Sequence, residues 1–168
     1  MYLITVMMFT VACAKNDSSD DRISEDTANP TPQIDNPTPP SDGTASISKV
    51  SVSGDESNYI FSVEVKSPDL GCNQYADWWE VISEEETLIY RRILAHSHVN
   101  EQPFTRSGGA VGITKDQIVY VRVHMNNKGY GKLVYKGSVA GGFNQETLEV
   151  SFASELETTE PLPTGCAF

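Results

Sequence analysis

From residue 44 onward apolar and polar positions alternate, the period of strands with one buried face. Tyr59, Phe61, Val63 and Val65 alternate with Ser62, Glu64 and Lys66. The segment 118–125 sets Val119, Val121, Val123 and Met125 on one side and predicts the strongest strand. A weaker alternation covers 46–53, where Val50 and Val52 share a face. Segments 77–83 and 87–94 flank Glu84-Glu85-Glu86, which predicts a hairpin. Segment 132–139 is the expected partner of 118–125 across the turn 126–131, and 110–113 predicts a short strand. Leu148, Val150 and Phe152 extend a last strand, unless 145–156 winds as a short helix.

About seven short strands separated by turn residues predict an all-β domain. The expected architecture is an immunoglobulin or fibronectin type III-like sandwich, with a barrel as the alternative. The span 44–168 has the usual size of one domain. Cys72 precedes Trp78 and Trp79 too closely for the cysteine–tryptophan core of a true immunoglobulin domain. Neighbouring strand residues face opposite ways, so one of these tryptophans belongs to the core and the other to an outer face.

The beginning of the chain follows a different pattern. Residues 1–12 are apolar, but far short of the roughly 20 residues that span a bilayer, and are set aside as a signal peptide. They end in Thr10-Val11-Ala12-Cys13, which resembles the lipobox of a bacterial lipoprotein signal peptide. Two features depart from that pattern: no Lys or Arg precedes the run, and Thr10 stands where Leu, Val or Ile is usual. The resemblance implies cleavage before Cys13 and acylation of its thiol and amine, with palmitate-type chains. More than one acyl chain makes a stable membrane anchor.

Residues 13–43 hold seven acidic residues against Lys15 and Arg22, together with five prolines. Such a segment buries too little to offset its ordering entropy, and its Asn-Pro-Thr-Pro repeats favour an extended spacer. The cluster Asp17-Ser18-Ser19-Asp20-Asp21 resembles the acidic export signal of surface lipoproteins. Ala14, rather than Asp, after Cys13 implies release from the inner membrane. Outer-membrane residence is the expectation, with surface exposure left open. A net charge of −11 argues against nucleic acid as a partner.

If lipid consumes Cys13, Cys72 and Cys166 remain as an even pair in an oxidising compartment. A bridge between them would staple the C-terminal end to the domain and is worth roughly 4–5 kcal/mol on the chain-entropy model. Two free thiols are the alternative.

The stretch 71–143 resembles an uncharacterised group of secreted bacterial β-sandwich domains. The resemblance rests on Trp79-Glu80-Val81, Tyr90-Arg91-Arg92, the run from His96 to Arg106, and Gly137-Ser138-Val139. It implies the fold and carries no activity.

Candidate chemistry is sparse. His96 and His98 face one way in an extended chain, and His124 ends the strong strand. Three imidazoles from two segments would suit copper or zinc, with Glu101 or Asn100 completing the shell. Structural histidines are the competing reading. Arg106 pairs with Glu101 or binds an anion beside Gly108-Gly109. The outer tryptophan, Trp78 or Trp79, with Tyr75 and Tyr130, would make a platform for sugar rings or a protein partner, unless Arg91 or Arg92 covers it. No Gly-x-Ser-x-Gly elbow is present. The sequence therefore predicts a membrane-tethered, non-enzymatic binding or assembly module, with a copper or zinc binding protein as the alternative.

Overall fold

The structure, a computed structural model, describes residues 43–167. The apolar run, Cys13 and the spacer up to residue 42 lie outside the described residues. Alternation in the sequence becomes two antiparallel sheets. The smaller is ordered β1 (Ser46–Asp55), β2 (Asn58–Lys66), β5 (Phe104–Val111). The larger is ordered β4 (Leu88–Ile93), β3 (Ala76–Ser83), β6 (Val119–Met125), β8 (Leu133–Ser138), β9 (Gly142–Thr147). A short β7 (Gly129–Tyr130) pairs with β6. A 3₁₀ turn, Ser154–Thr158, is the described helical element.

Phe61, Val63 and Val65 of β2 pack in one buried cluster with Trp79 and Val81 of β3 and Val121 and Val123 of β6. Each such side chain contributes about 1.5–3 kcal/mol when fully withdrawn from water. The hairpins expected around 84–86 and 126–131 form: β3 pairs with β4, and β6 with β8.

The larger sheet is also covered on its other face. Ile82, Tyr120 and Val134 pack there against Ala153 and Leu156 from the C-terminal segment. Every residue of β3 and of β6 is buried as a result. That explains why Ala76-Asp77-Trp78-Trp79-Glu80 shows no clean alternation, since a strand buried on both faces has no solvent side to mark.

Three expectations need correction. The strand expected at 110–113 begins at Phe104, inside what reads as a polar loop. Its outward residues Thr105 and Ser107 face solvent, and Gly108 gives way to Tyr90: a Cβ there would sit 2.5 Å from the Tyr90 hydroxyl. The edge strand β9 was not foreseen, because it brings only Phe143 inward as a large apolar group, edge-on to Phe61. Leu148 follows β9 in irregular backbone, and Val150 and Phe152 lie in turns rather than a strand; the helical alternative survives only as the 3₁₀ turn.

Cys72 and Cys166 are joined as a disulfide across 94 positions, with Cα atoms 5.6 Å apart. Beside the bridge, the backbone N–H of Ala167 donates to the Ala95 carbonyl at 2.6 Å.

Candidate functional site

The outer face of the larger sheet is built around one buried carboxylate. Glu80 lies opposite Arg91 on β4 and Arg122 on β6. Arg91 Nε donates to Glu80 Oε2 at 2.8 Å, and Arg122 Nε to Oε1 at 2.7 Å. Two guanidiniums around one carboxylate leave surplus positive charge, which backbone carbonyls of the covering segment absorb. Arg91 donates to the carbonyls of Leu156, Thr159 and Pro161, and Arg122 to those of Phe152 and Ala153. The arginines thus fasten the C-terminal strap to the sheet.

Trp78 and His124 sit under the same strap. Their rings stack with centroids 3.6 Å apart and planes 6° from parallel. The Arg91 guanidinium lies 4.5 Å from the Trp78 ring, and that of Arg122 lies 3.4 Å from the Tyr130 ring. His124 Nδ1 is 2.6 Å from Asp77 Oδ1, and its Nε2 is 3.2 Å from Glu157 Oε1. Burial, and then the Glu80 charge, push the Tyr130 hydroxyl well above the ordinary tyrosine range.

The expected aromatic platform is therefore corrected. Trp78 does occupy the outer face, but it is 3% exposed, Trp79 is 0% and Tyr75 is 3%. The strap, invisible to strand periodicity, turns that face into a second core. Burial also raises the Tyr75 hydroxyl, helped by Asp77 and Asp69.

The second candidate region is the segment 94–103 between β4 and β5. Its anchor is Asp69, a buried residue that the sequence reading passed over. Asp69 Oδ1 accepts from Ser67 Oγ at 2.5 Å and from the Ala76 N–H at 3.1 Å. Its Oδ2 accepts from the His98 N–H at 2.7 Å and from Ser97 Oγ at 3.4 Å. Gln102 extends the brace, accepting from the Ser67 N–H and donating to the His98 carbonyl.

Held this way, the His98 ring stacks on Phe104 at 3.7 Å, while exposed His96 lies across it with ring centroids 4.4 Å apart. Both His98 ring nitrogens are buried without a hydrogen-bond partner among the described residues. Burial pushes the His98 imidazole below its ordinary value; Arg106 and His96 add to that effect, and Glu101 and Asp69 oppose it.

The three-histidine ligand set does not assemble. His96 and His98 share the 94–103 segment, whereas both His124 nitrogens are engaged by Asp77 and Glu157 under the strap. Among the described residues, no three His, Cys, Asp or Glu side chains group to hold a metal ion. The error lay in assuming that β6 brings His124 to the loop; it brings it to the outer face.

Arg106 pairs with Glu101, its Nη2 2.8 Å from Oε2, and lies over the Phe104 ring. The adjacent Gly108-Gly109 pair serves close packing against Tyr90 and the Tyr59 backbone. A cleft of about 420 Å³ opens beside His96, His98, Glu101 and the Cys72 end of the disulfide. A smaller one, about 100 Å³, lies between Arg92, Arg106 and the same two histidines.

No protein-family model matches the chain, and no solved structure matches it significantly. A protein of Halomicrobium mukohataei named "Putative lipoprotein" is 39% identical over 71 residues, which is 42% of this chain. The match spans only 35% of that relative's length.

Proposed function

We propose that this chain is a lipid-tethered, non-enzymatic binding or assembly module of the cell envelope. In this reading Cys13 carries the lipid, residues 14–43 are the spacer, and the sandwich meets a protein or carbohydrate partner. The observation that carries the non-enzymatic part is the use made of the buried carboxylates. Asp69 braces a loop, Asp77 holds His124, and Glu80 neutralises two arginines. Each is consumed by the fold, whereas acid–base or nucleophilic chemistry needs such a group poised against an incoming substrate.

The tether is supported by the apolar run closing on Cys13 and by the name of the relative. Outer-membrane residence follows from Ala14 within the same reading. The fibronectin type III-like description is supported by a chain that changes sheets between β2 and β3, between β4 and β5, and between β5 and β6.

The test is fractionation of cells expressing the full chain. Wild type should sediment with membranes and resist an alkaline wash, while Cys13→Ser should appear in the soluble fraction. Retention of Cys13→Ser in washed membranes contradicts the tether. A hydrolase or transferase activity abolished by one substitution in the sandwich contradicts the non-enzymatic assignment.

A further inference from the structure

Against a net charge of −11, the 100 Å³ cleft at the end of β4 is cationic. Arg92 donates only to backbone, to the carbonyls of Ser107 and Ile93, and has no carboxylate partner among the described residues. Arg106 makes a two-point pair with Glu101, Nη1 3.3 Å from Oε1 and Nη2 2.8 Å from Oε2, but that carboxylate is 59% exposed and open to competition from water or an incoming anion. The buried carboxylate Asp69 behind the loop is occupied by the His98 backbone N–H, the Ala76 N–H and the hydroxyls of Ser67 and Ser97. Two guanidiniums thus face a space suited to a tetrahedral anion, and planar guanidinium is the side chain best matched to such oxygens. Behind them stand His96, exposed, and His98, whose buried ring nitrogens have no partner among the described residues.

We propose that this cleft binds one small oxyanion, a phosphate or sulfate group either free or carried on a sugar, between Arg92 and Arg106 with the His96–His98 pair as its wall. The proposal rests on reading the domain as a binding module and names the chemistry of its ligand. The 420 Å³ cleft shares His96 and His98 with the smaller one, so a sugar bearing the anionic group has room for its ring there. His96 lies across His98 with ring centroids 4.4 Å apart, and both imidazoles line the cleft. The charged groups facing His98 are Arg106 from β5, His96 and Glu101 from its own loop, and Asp69 from the loop after β2. An anion beside Arg106 offsets part of the positive charge that, after burial, holds His98 deprotonated, so binding favours a proton on His98 and tightens as pH falls toward and below the ordinary histidine value of about 6.5.

The experiment is a side-chain NMR titration of the folded protein with sodium sulfate and with inorganic phosphate, at ionic strength held constant with chloride. Expected are saturable shifts at His96, His98, Arg92 and Arg106. Arg92→Gln and Arg106→Gln should each weaken affinity about tenfold or more, and Lys115→Gln, on the loop before β6, should leave it unchanged. Sulfate, which does not titrate in this range, reports the pH arm. Tighter binding of a sugar 6-phosphate than of inorganic phosphate places the anion on a glycan; equal binding places it free in solution. Shifts that chloride reproduces, or affinity unaltered in both arginine variants, overturn the proposal. Should the titration fail while Cys13→Ser still leaves the membrane, the ligand assignment falls and the tether stands.

Discussion

Glu80 on β3 and Arg122 on β6 stand directly opposite each other, with Oε1 2.7 Å from Nε and both side chains withdrawn from water. Arg91 closes the cluster from β4, and five backbone carbonyls of the strap complete it. Charged residues at the centre of a sheet are costly unless paired and fully hydrogen-bonded. Here the pairing also decides where the C-terminal segment lies.

Removing the carboxylate leaves two buried guanidiniums without a countercharge. Glu80→Gln should therefore cost about 3–5 kcal/mol, the range for breaking a buried ion pair from one side. Urea denaturation followed by tryptophan fluorescence measures it. A loss below about 1 kcal/mol would show the cluster to be incidental.

Trp78 should behave as a core residue despite its place on an outer face. Truncation of a buried aromatic side chain to Ala costs about 3–5 kcal/mol, and Trp78→Ala should fall in that range. In the wild type, iodide should quench neither Trp78 nor Trp79, both being at most 3% exposed. Efficient quenching of native protein would restore the exposed platform.

The disulfide closes a loop of 94 positions, for which the chain-entropy model gives about 4–5 kcal/mol. Cys166→Ser should lower stability by about 2–5 kcal/mol, less if the strap keeps its arginine contacts. Within the domain after residue 43, limited proteolysis of that variant should cut first within 148–167. First cleavage in the sandwich strands would contradict the strap's dependence on the bridge.

His98 makes stability depend on pH. Its folded value lies below the unfolded one of about 6.5, so the unfolded chain binds the proton more readily. The contribution is fully present above about pH 6.5 and is lost as pH falls through the folded value. Denaturation midpoints at about pH 7.5 and pH 5.5 should differ more in wild type than in His98→Phe, which keeps a ring against Phe104. Equal pH dependence in the two proteins would assign the effect elsewhere.

The strands were legible wherever one face met the core and the other met water, as in Tyr59, Phe61, Val63 and Val65. The disulfide was legible from cysteine arithmetic alone. The strap was not, because a segment lying across a sheet by carbonyl contacts to arginines leaves no periodic trace. Without it, the outer one of Trp78 and Trp79 read as exposed and His124 as available to a metal. Glu80 and Arg122 alternate with Trp79 and Val81 and with Val121 and Val123, so they read as solvent-side charges; only Trp78, Ile82 and Tyr120 on the same face point to its being covered. Asp69 left no signal, since an acidic residue before Leu70-Gly71 reads as an ordinary turn.

The tethered reading is tested most directly by the intact mass of mature protein extracted with detergent from the envelope. The predicted species begins at Cys13 and carries a diacylglyceryl group on the thiol and an acyl chain on the amine; alkaline hydrolysis should remove the ester-linked chains alone. A mature species that keeps residues 1–12, or that begins at Cys13 without lipid, contradicts the account.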